Sequence, residues 1–497
     1  MRTIPTIASM PPEKILRKEN FRIPIPDPSM GFTRPGDPVT VLPVNNLKYK
    51  TVTQADFMRE FNVNSHSINS IKYYPNNLFY DSNGKIQAKV HTRIAVAYQE
   101  MIKTKRKTAL IGNNVGMRLI SNRANSGGED KLARFRDGWE ESNMEIAVDR
   151  CIDSDFITGD CAVYVFISGN NVGWRTFSFK DGDVLYPHYH PMTGELSLFG
   201  RLYHDDDNDG METEYLDVID GEEFITYRKE RDKEEWTVEY GPVRHGFPFC
   251  PVAYHRRDTG PVWSASQSLI ENYEMGISQF SENNLSYGLR ILYTLGADFE
   301  MMSSPDGTPT RIDSSSPDAK VGFLENATGG DGAFAKQLEI LHKNIMRCSF
   351  TVEAPEIKSG ADMSSLTVKM LFADSYLKAL EDSQEYQLFL DRIVMMFKHA
   401  YGIASGESSL FNEFKVKPYL EPFIFMSETE VVNALVQLTA AGVLSKQTAT
   451  EIAYNSGYGT ASEWGRILQE AHDELVAEQT TAQTTKSNPV NESRNRQ

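Results

Sequence analysis

Apolar positions recur at helical spacing from residue 52 to about 148, where Val90, Ile94, Ala97 and Met101 form the clearest stripe. The spacing predicts a helix that ends in the basic run Lys103, Lys105, Arg106 and Lys107. Cations in a last turn oppose the negative end of the helix dipole; contact with DNA or an acidic neighbour is the other use of such a run. Between residues 161 and 254 the texture changes to short runs of strand formers at 162–167, 174–179, 196–203, 214–219, 223–228 and 235–240. Turn clusters such as Gly169-Asn170-Asn171 and Pro191-Met192-Thr193-Gly194 separate them. Antiparallel strands attached to helices, without βαβ alternation, predict the α+β class.

The second half reads as mostly helical. Leu269, Tyr273, Ile277 and Phe280 make one apolar stripe of a helix expected over 263–287. Strands follow at 291–296 and 321–324, around a loop-like stretch rich in Ser, Pro, Gly and Asp at 303–318. Gly329-Gly330-Asp331-Gly332 reads as a hinge ahead of a helix whose apolar positions are Leu338, Leu341, Ile345 and Cys348. The stretch 364–401 is expected to be one helix, about 57 Å long at 1.5 Å per residue, which suits an elongated assembly. Ser427-Glu428-Thr429-Glu430 is a capping box opening a helix that stops at Gly442, and a short helix starts near Ser445. Thr460-Ala461-Ser462-Glu463 is a second capping box, and the polar tail 480–497 is expected to be disordered.

Nine prolines among the first 50 residues oppose regular helix and favour an extended arm, either loose or lying across a neighbouring subunit. The 497 residues are 40% hydrophobic and 24% charged, which excludes wholesale disorder. A net charge of −17 disfavours a protein that grips nucleic acid over its whole surface. The best apolar run, 431–444, is interrupted by Asn433, Gln437 and Thr439 and falls short of the ~20 residues a spanning helix needs. No continuous apolar stretch near the N-terminus predicts a signal peptide. Cys151, Cys161, Cys250 and Cys348 show no paired spacing and are expected to be reduced thiols.

Candidate chemistry is sparse. Asp205-Asp206-Asp207-Asn208-Asp209-Gly210 matches the first half of a calcium loop, but the twelfth position, where the loop needs a bidentate Glu, is Leu216. The run is read as an acidic hairpin turn. His188 and His190 share a strand face with His204 nearby, without zinc-ligand spacing, and are read as structural. There is no G-x-x-x-x-G-K-[ST] or G-x-S-x-G motif, and Asp153 with Asp155 is no dyad without geometry. No enzyme, cofactor or metal is expected. A metal-dependent enzyme at Asp205–Asp209 or His188/His190 is the remote alternative.

The order of these parts resembles the tailed-bacteriophage portal (head–tail connector) protein family. The resemblance begins at Ile157-Thr158-Gly159-Asp160-Cys161-Ala162-Val163-Tyr164-Val165 and continues in Val184-Leu185-Tyr186-Pro187 with Thr193-Gly194-Glu195 and Gly200-Arg201-Leu202-Tyr203. Gly246-Phe247-Pro248-Phe249-Cys250-Pro251-Val252 and the helix from Ser268-Leu269-Ile270-Glu271-Asn272-Tyr273 to Ser281-Glu282-Asn283-Asn284 extend it, and its span is roughly residues 50–478. The proline-rich arm departs from the pattern, and Glu353-Ala354-Pro355-Glu356-Ile357 matches it only loosely.

The resemblance implies a portal-type fold: an arm over 1–50, a wing over 51–262, stem helices at 263–287 and 334–348 with a clip at 288–333 between them. A tunnel loop would follow at 349–365, then a long helix and return to the wing over 366–426, a helical crown at 427–479, and the tail. Candidate tunnel-loop residues are Glu353, Glu356, Lys358, Ser359 and Asp362; candidate clip residues are Arg290, Asp306, Arg311, Asp313 and Lys320. The implied protein is a homo-oligomeric ring, commonly of twelve subunits, at the portal vertex of the virion, assembled in the host cytoplasm. Its implied partners are double-stranded DNA in the channel, the terminase motor, the head–tail adaptor, and the major capsid and scaffold proteins, with no membrane. Another capsid-associated structural protein is the alternative.

Overall fold

The N-terminal prolines permit one helical turn and one strand. Helix α1 (Pro12–Ile15) begins at two prolines, where the missing N–H costs nothing, and β1 (Arg22–Pro26) pairs antiparallel with β2 (Tyr49–Thr53). The computed structural model describes residues 11–16, 22–26, 49–80, 85–112, 114–120, 128–206, 212–230, 233–287, 291–295, 299–303, 309–314, 320–324, 328–353, 365–407, 415–422 and 428–455. Ile15 is fully buried among Tyr186, Leu198, Leu216, Val218 and Ile225. At Ile15 the arm is therefore not loose but docked on its own chain, and at β1 it is extended, as its prolines favour.

Helix α2 (Gln54–Phe61) opens where Asp56 Oδ2 accepts the Thr53 backbone N–H at 3.0 Å. The helical region expected over 52–148 is present but interrupted. Two single turns (Val63–Ser65 and Ser67–Asn69) and the hairpin of β3 (Asn77–Tyr80) with β4 (Ile86–Lys89) precede α3 (Tyr98–Ile111). Val90, Ile94 and Ala97 lie in the irregular stretch before α3, and only Met101 of that stripe is helical. The cause is tertiary. Ile94 N–H donates to Ser278 Oγ at 2.9 Å and Val96 N–H to Glu274 Oε1 at 2.8 Å, so distant side chains take the place of helix carbonyls.

Strand β5 (Val115–Leu119), α4 (Gly128–Glu141) and α5 (Met144–Thr158) follow. Helix α5 stops at Gly159, whose φ of 83° ends a helix without a Cβ clash. The chain then enters the predicted strand region as β6 (Asp160–Ser168), β7 (Asn171–Phe177), β8 (Val184–Tyr189), β9 (Leu196–Asp206), β10 (Glu212–Ile219), β11 (Glu223–Glu230), β12 (Thr237–Arg244) and β13 (Val252–Arg256). These make two sheets. One is three-stranded in the order β13-β6-β7; the other is a five-stranded antiparallel meander from β8 to β12.

Helix α6 (Gln267–Tyr287) starts four residues later than expected. After it, β14 (Ile291–Leu295) pairs with a strand beyond an inner hairpin of β15 (Phe299–Ser303) and β16 (Pro309–Ser314); that strand is β17 (Lys320–Leu324). The stretch 303–318, read as loop, thus contains a strand. Helix α7 (Thr328–Cys348) includes Gly329, Gly330 and Gly332, so these are helical and not a hinge. Helices α8 (Ser365–Glu385) and α9 (Gln387–Ala404) replace the single helix expected over 364–401. Tyr386 between them has φ −79° and ψ −6°, yet its N–H still donates to Asp382 O and its carbonyl accepts from Leu390 N–H. Strand β18 (Val416–Leu420) pairs with β5.

Helix α10 (Glu428–Ala440) stops at Gly442, with φ 69°, as its sequence predicts. Helix α11 (Lys446–Asn455) is capped by Ser445 Oγ, which accepts the Thr448 N–H at 3.0 Å. The second capping box and the tail lie outside the described residues. The chain divides into two compact units, residues 1–355 with 374–423, and residues 356–373 with 424–497. The main core of the first unit joins α3, α4, α5 and α9 to β6, with Trp139 and Phe135 both set edge-on to Phe397. Helices are combined with strand pairs that are antiparallel throughout the described residues, which is the α+β class.

Candidate functional site

Helices α6 and α7 form a hairpin, and the pattern of α6 explains why. Leu269, Tyr273, Ile277 and Phe280 are half-buried, and Phe280 stacks on Phe334 of α7 with ring centroids 6.3 Å apart. A Cβ on Gly276 would come within 3.2 Å of Leu338, so this glycine lets the helices approach. Contacts that fall in α6 as they rise in α7 make the two helices antiparallel. The strand-built insertion therefore leaves from one end of the hairpin, and the segment after Cys348 leaves from the other. At 1.5 Å per residue the two ends are roughly 30 Å apart.

The other face of α6 is polar and buried. Glu274 and Ser278 are nearly inaccessible, one turn apart. His66 Nδ1 donates to Glu274 Oε1 at 2.6 Å, since a carboxylate has no proton to give, and the same oxygen accepts Val96 N–H. One turn further, His91 Nδ1 lies 2.5 Å from Glu282 Oε2. The irregular stretch before α3 is thereby strapped along α6 by polar bonds.

At the far end of the hairpin, His342 Nε2 donates to Glu353 Oε2 at 2.9 Å, and its Nδ1 accepts the Tyr98 hydroxyl at 2.6 Å. Lys105 Nζ donates to Val352 O at 2.9 Å. The root of the following segment is thus tied to α7 and α3. Glu353 is the candidate tunnel-loop residue brought into this arrangement; Glu356, Lys358, Ser359 and Asp362 lie outside the described residues, as do Arg290 and Asp306. Arg311 and Asp313 are on β16, in register with Met302 and Glu300 of β15. Lys320 starts β17 opposite Leu295 and is exposed.

The basic run of α3 neither neutralises a last turn nor faces outward. The last turn holds no base. Lys103 pairs with Asp153 at 3.0 Å, and Lys107 with Asp149 at 2.9 Å and Asp153 at 3.4 Å. Burial raises the pKa of Asp153, but bonds from Lys180 and Lys103 and the charge of Lys107 overcome that and hold it at about 2. Arg106 is buried against Asp382. Asp155 belongs to a different network: Arg257 Nε donates to it at 3.3 Å, the Tyr386 hydroxyl also donates to it, and Arg257 reaches Asp382 at 3.4 Å. Asp153 and Asp155 therefore serve separate salt-bridge networks.

Burial raises two further carboxyls to about 7. Asp160 accepts from Gln54 Nε2 at 2.5 Å and from the Tyr254 hydroxyl at 3.3 Å. Glu60 accepts from Trp263 Nε1 at 3.1 Å. His188 Nε2 lies 3.2 Å from Ile15 O, and His190 Nδ1 accepts backbone N–H groups of its own turn. Asp205 and Asp206 end β9 in hairpin register with Thr213 and Glu212, and Leu216 is core. Among the described residues no group of three His, Cys, Asp or Glu side chains is placed to hold a metal. Cys151, Cys161 and Cys250 are buried free thiols and Cys348 is an exposed one.

The buried polar face of α6 and the Arg257 network escaped sequence reasoning. Their signal was charge inside apolar stretches, Glu274 beside Ile270 and Arg257 after a strand, which sequence alone does not pair.

A hairpin with a strand-built insertion at one end and an anchored loop root at the other, joined to mixed sheets, is the architecture to be placed among known proteins. Residues 58–473 match the family described as phage portal protein, SPP1 Gp6-like, and the chain belongs to that family. It is a phage portal protein, a head–tail connector of the capsid associated with DNA packaging. No curated protein matches it.

Proposed function

We propose that this chain assembles into a closed ring, twelve subunits in number, whose central channel passes double-stranded DNA inward during packaging and outward during ejection. The observation that carries the reading is the α6–α7 hairpin within a family match covering most of the chain. In this reading α6 and α7 are the stem, and the insertion 288–333 is the clip that docks the terminase motor and later the head–tail adaptor. Residues 349–365 line the channel as the tunnel loop, α8 and α9 return the chain to the wing over 366–426, and 427–479 form the crown inside the capsid. The polypeptide itself is structural, and ATP hydrolysis resides in the separate motor.

The electrostatics support a conduit over a clamp. Each neutralised phosphate steepens the salt dependence of binding by about 0.9 in the log–log slope, and several together would hold the duplex. A chain of net charge −17, in which Lys103, Arg106 and Lys107 of α3 are paired with internal carboxylates, suits a channel through which the duplex slides.

Light scattering with negative-stain imaging of the purified chain tests this. Annular particles of about twelve 56.1 kDa subunits with an open centre are expected. A monomer or dimer that persists across salt and protein concentration overturns it.

A further inference from the structure

The five-stranded sheet ends in two unlike edge strands, β8 and β12, and we propose that they form the two halves of one head-to-tail contact between copies of this chain. In that contact the β12 edge of one copy seats in the cleft beside β8 of the next. The inference rests on the ring reading for its second copy and deepens it by naming the two faces.

Strand β12 is exposed along almost its whole length. Val238, Tyr240 and Val243 are 55%, 57% and 42% accessible. An edge strand carrying apolar side chains invites pairing unless something covers it. At the opposite edge, β8 borders a cleft of about 760 Å³ lined by Leu185, Tyr189, Glu195, Leu388, Phe389 and Arg392 among others. Leu388 stands at 81% exposure. A cleft of this volume is within the ~300–1,000 Å³ that encloses a sizeable ligand, enough for several side chains.

Charge selects the occupant. Glu195, an exposed carboxylate, lines the cleft, and Arg244 at the end of β12 has a side chain 81% exposed, with its nearest carboxylate, Glu223, 4.0 Å away. Four inter-strand spacings of about 4.8 Å separate the edges, so one copy's β12 does not reach its own cleft. Because the two surfaces lie at opposite edges of one sheet, the contact runs head to tail, the type that gives a ring where its rotation closes.

The test uses the full chain with Cys348→Ser, which removes the exposed native thiol. Val238→Cys with Leu388→Cys and a short bis-maleimide should give a covalent ladder of dimers, trimers and higher species, whereas either cysteine alone gives none. Tyr240→Glu and Leu388→Glu should each abolish assembly, and an equimolar mixture of these two should stop at dimers, because only one compatible contact remains. Folding of each variant is checked by circular dichroism, and if either glutamate variant misfolds the cysteine pair decides alone. Annular particles without a ladder, or rings unaffected by both glutamates, overturn the edge contact while leaving the ring intact. An unsubstituted chain that never forms rings overturns the ring reading itself. A ladder that stops at dimers for the cysteine pair overturns the head-to-tail geometry.

Discussion

Arg106 on α3 and Asp382 on α8 are 276 positions apart in the chain, and their side chains meet at 2.5 Å in the interior. Asp382 also receives Arg257, which reaches on to Asp155 and Tyr386. Three helices and the end of the three-stranded sheet are held by this one polar cluster. The interruption of the long helix at Tyr386 coincides with it, because that hydroxyl is directed at Asp155.

Asp382→Ala should therefore be severely destabilising. It leaves two buried guanidinium groups short of a partner, a change that costs about 3–5 kcal/mol when a buried ion pair is broken. A large fall in melting temperature and in soluble yield is expected; a melt within a degree or two of the unsubstituted chain would show that the cluster is solvated.

The pH dependence of stability follows from Asp160. The unfolded chain gives up this proton near the ordinary carboxylate range, whereas the folded chain keeps it up to about 7. Between those values the folded state binds the extra proton, so the stabilisation is complete at low pH and is lost as pH rises through about 7. Glu60 acts in the same direction. Asp153 acts oppositely: its contribution is present above the ordinary carboxylate range and is lost as pH falls toward about 2. Asp160→Asn should lose less melting temperature between about pH 5 and pH 7 than the unsubstituted chain. Parallel melting curves across that window would refute the assignment.

The docking of α1 is testable by substitution on either side of it. Ile15→Ala removes a fully buried side chain at a cost of about 2 kcal/mol, the low end for such truncations because a single turn can undock. Gly200→Ala would bring a Cβ to 2.8 Å from Ile15 Cγ2 and push the turn off from beneath. Both variants should raise the rate of proteolysis within residues 1–26 by about an order of magnitude. Unchanged cleavage in both would mean the arm is not held there.

Glu353→Gln should separate local order from global stability. The His342–Glu353 pair is partly exposed, and such pairs contribute less than about 1 kcal/mol. The melting temperature should hardly move, while amide exchange at Thr351, Val352 and Glu353 should accelerate. Lys105→Ala, which frees Val352 O, should act in the same sense, and the double substitution more strongly. Exchange indifferent to both changes would place the anchor elsewhere.

The local features were legible in the chain itself, because each depends on residues a few positions apart. The six strand runs between 161 and 254, the turns at Gly169 and Gly194, the stop at Gly442 and the apolar stripe of α6 appear as the pattern predicts, and β8 and β13 add two strands beyond those runs. What tertiary structure decided lies where a partner comes from far away. Val90 to Ala97 has the spacing of a helix, yet its N–H groups find acceptors on Glu274 and Ser278, some 180 positions on. The basic run of α3 looks like a surface feature until α5 supplies Asp149 and Asp153 and α8 supplies Asp382. The meeting of like strands in two separate sheets, and the choice of which acids neutralise which bases, are long-range pairings that spacing along a chain does not encode. Helix, strand and cap follow from neighbours in sequence, whereas strapping, anchoring and charge neutralisation follow from neighbours in space.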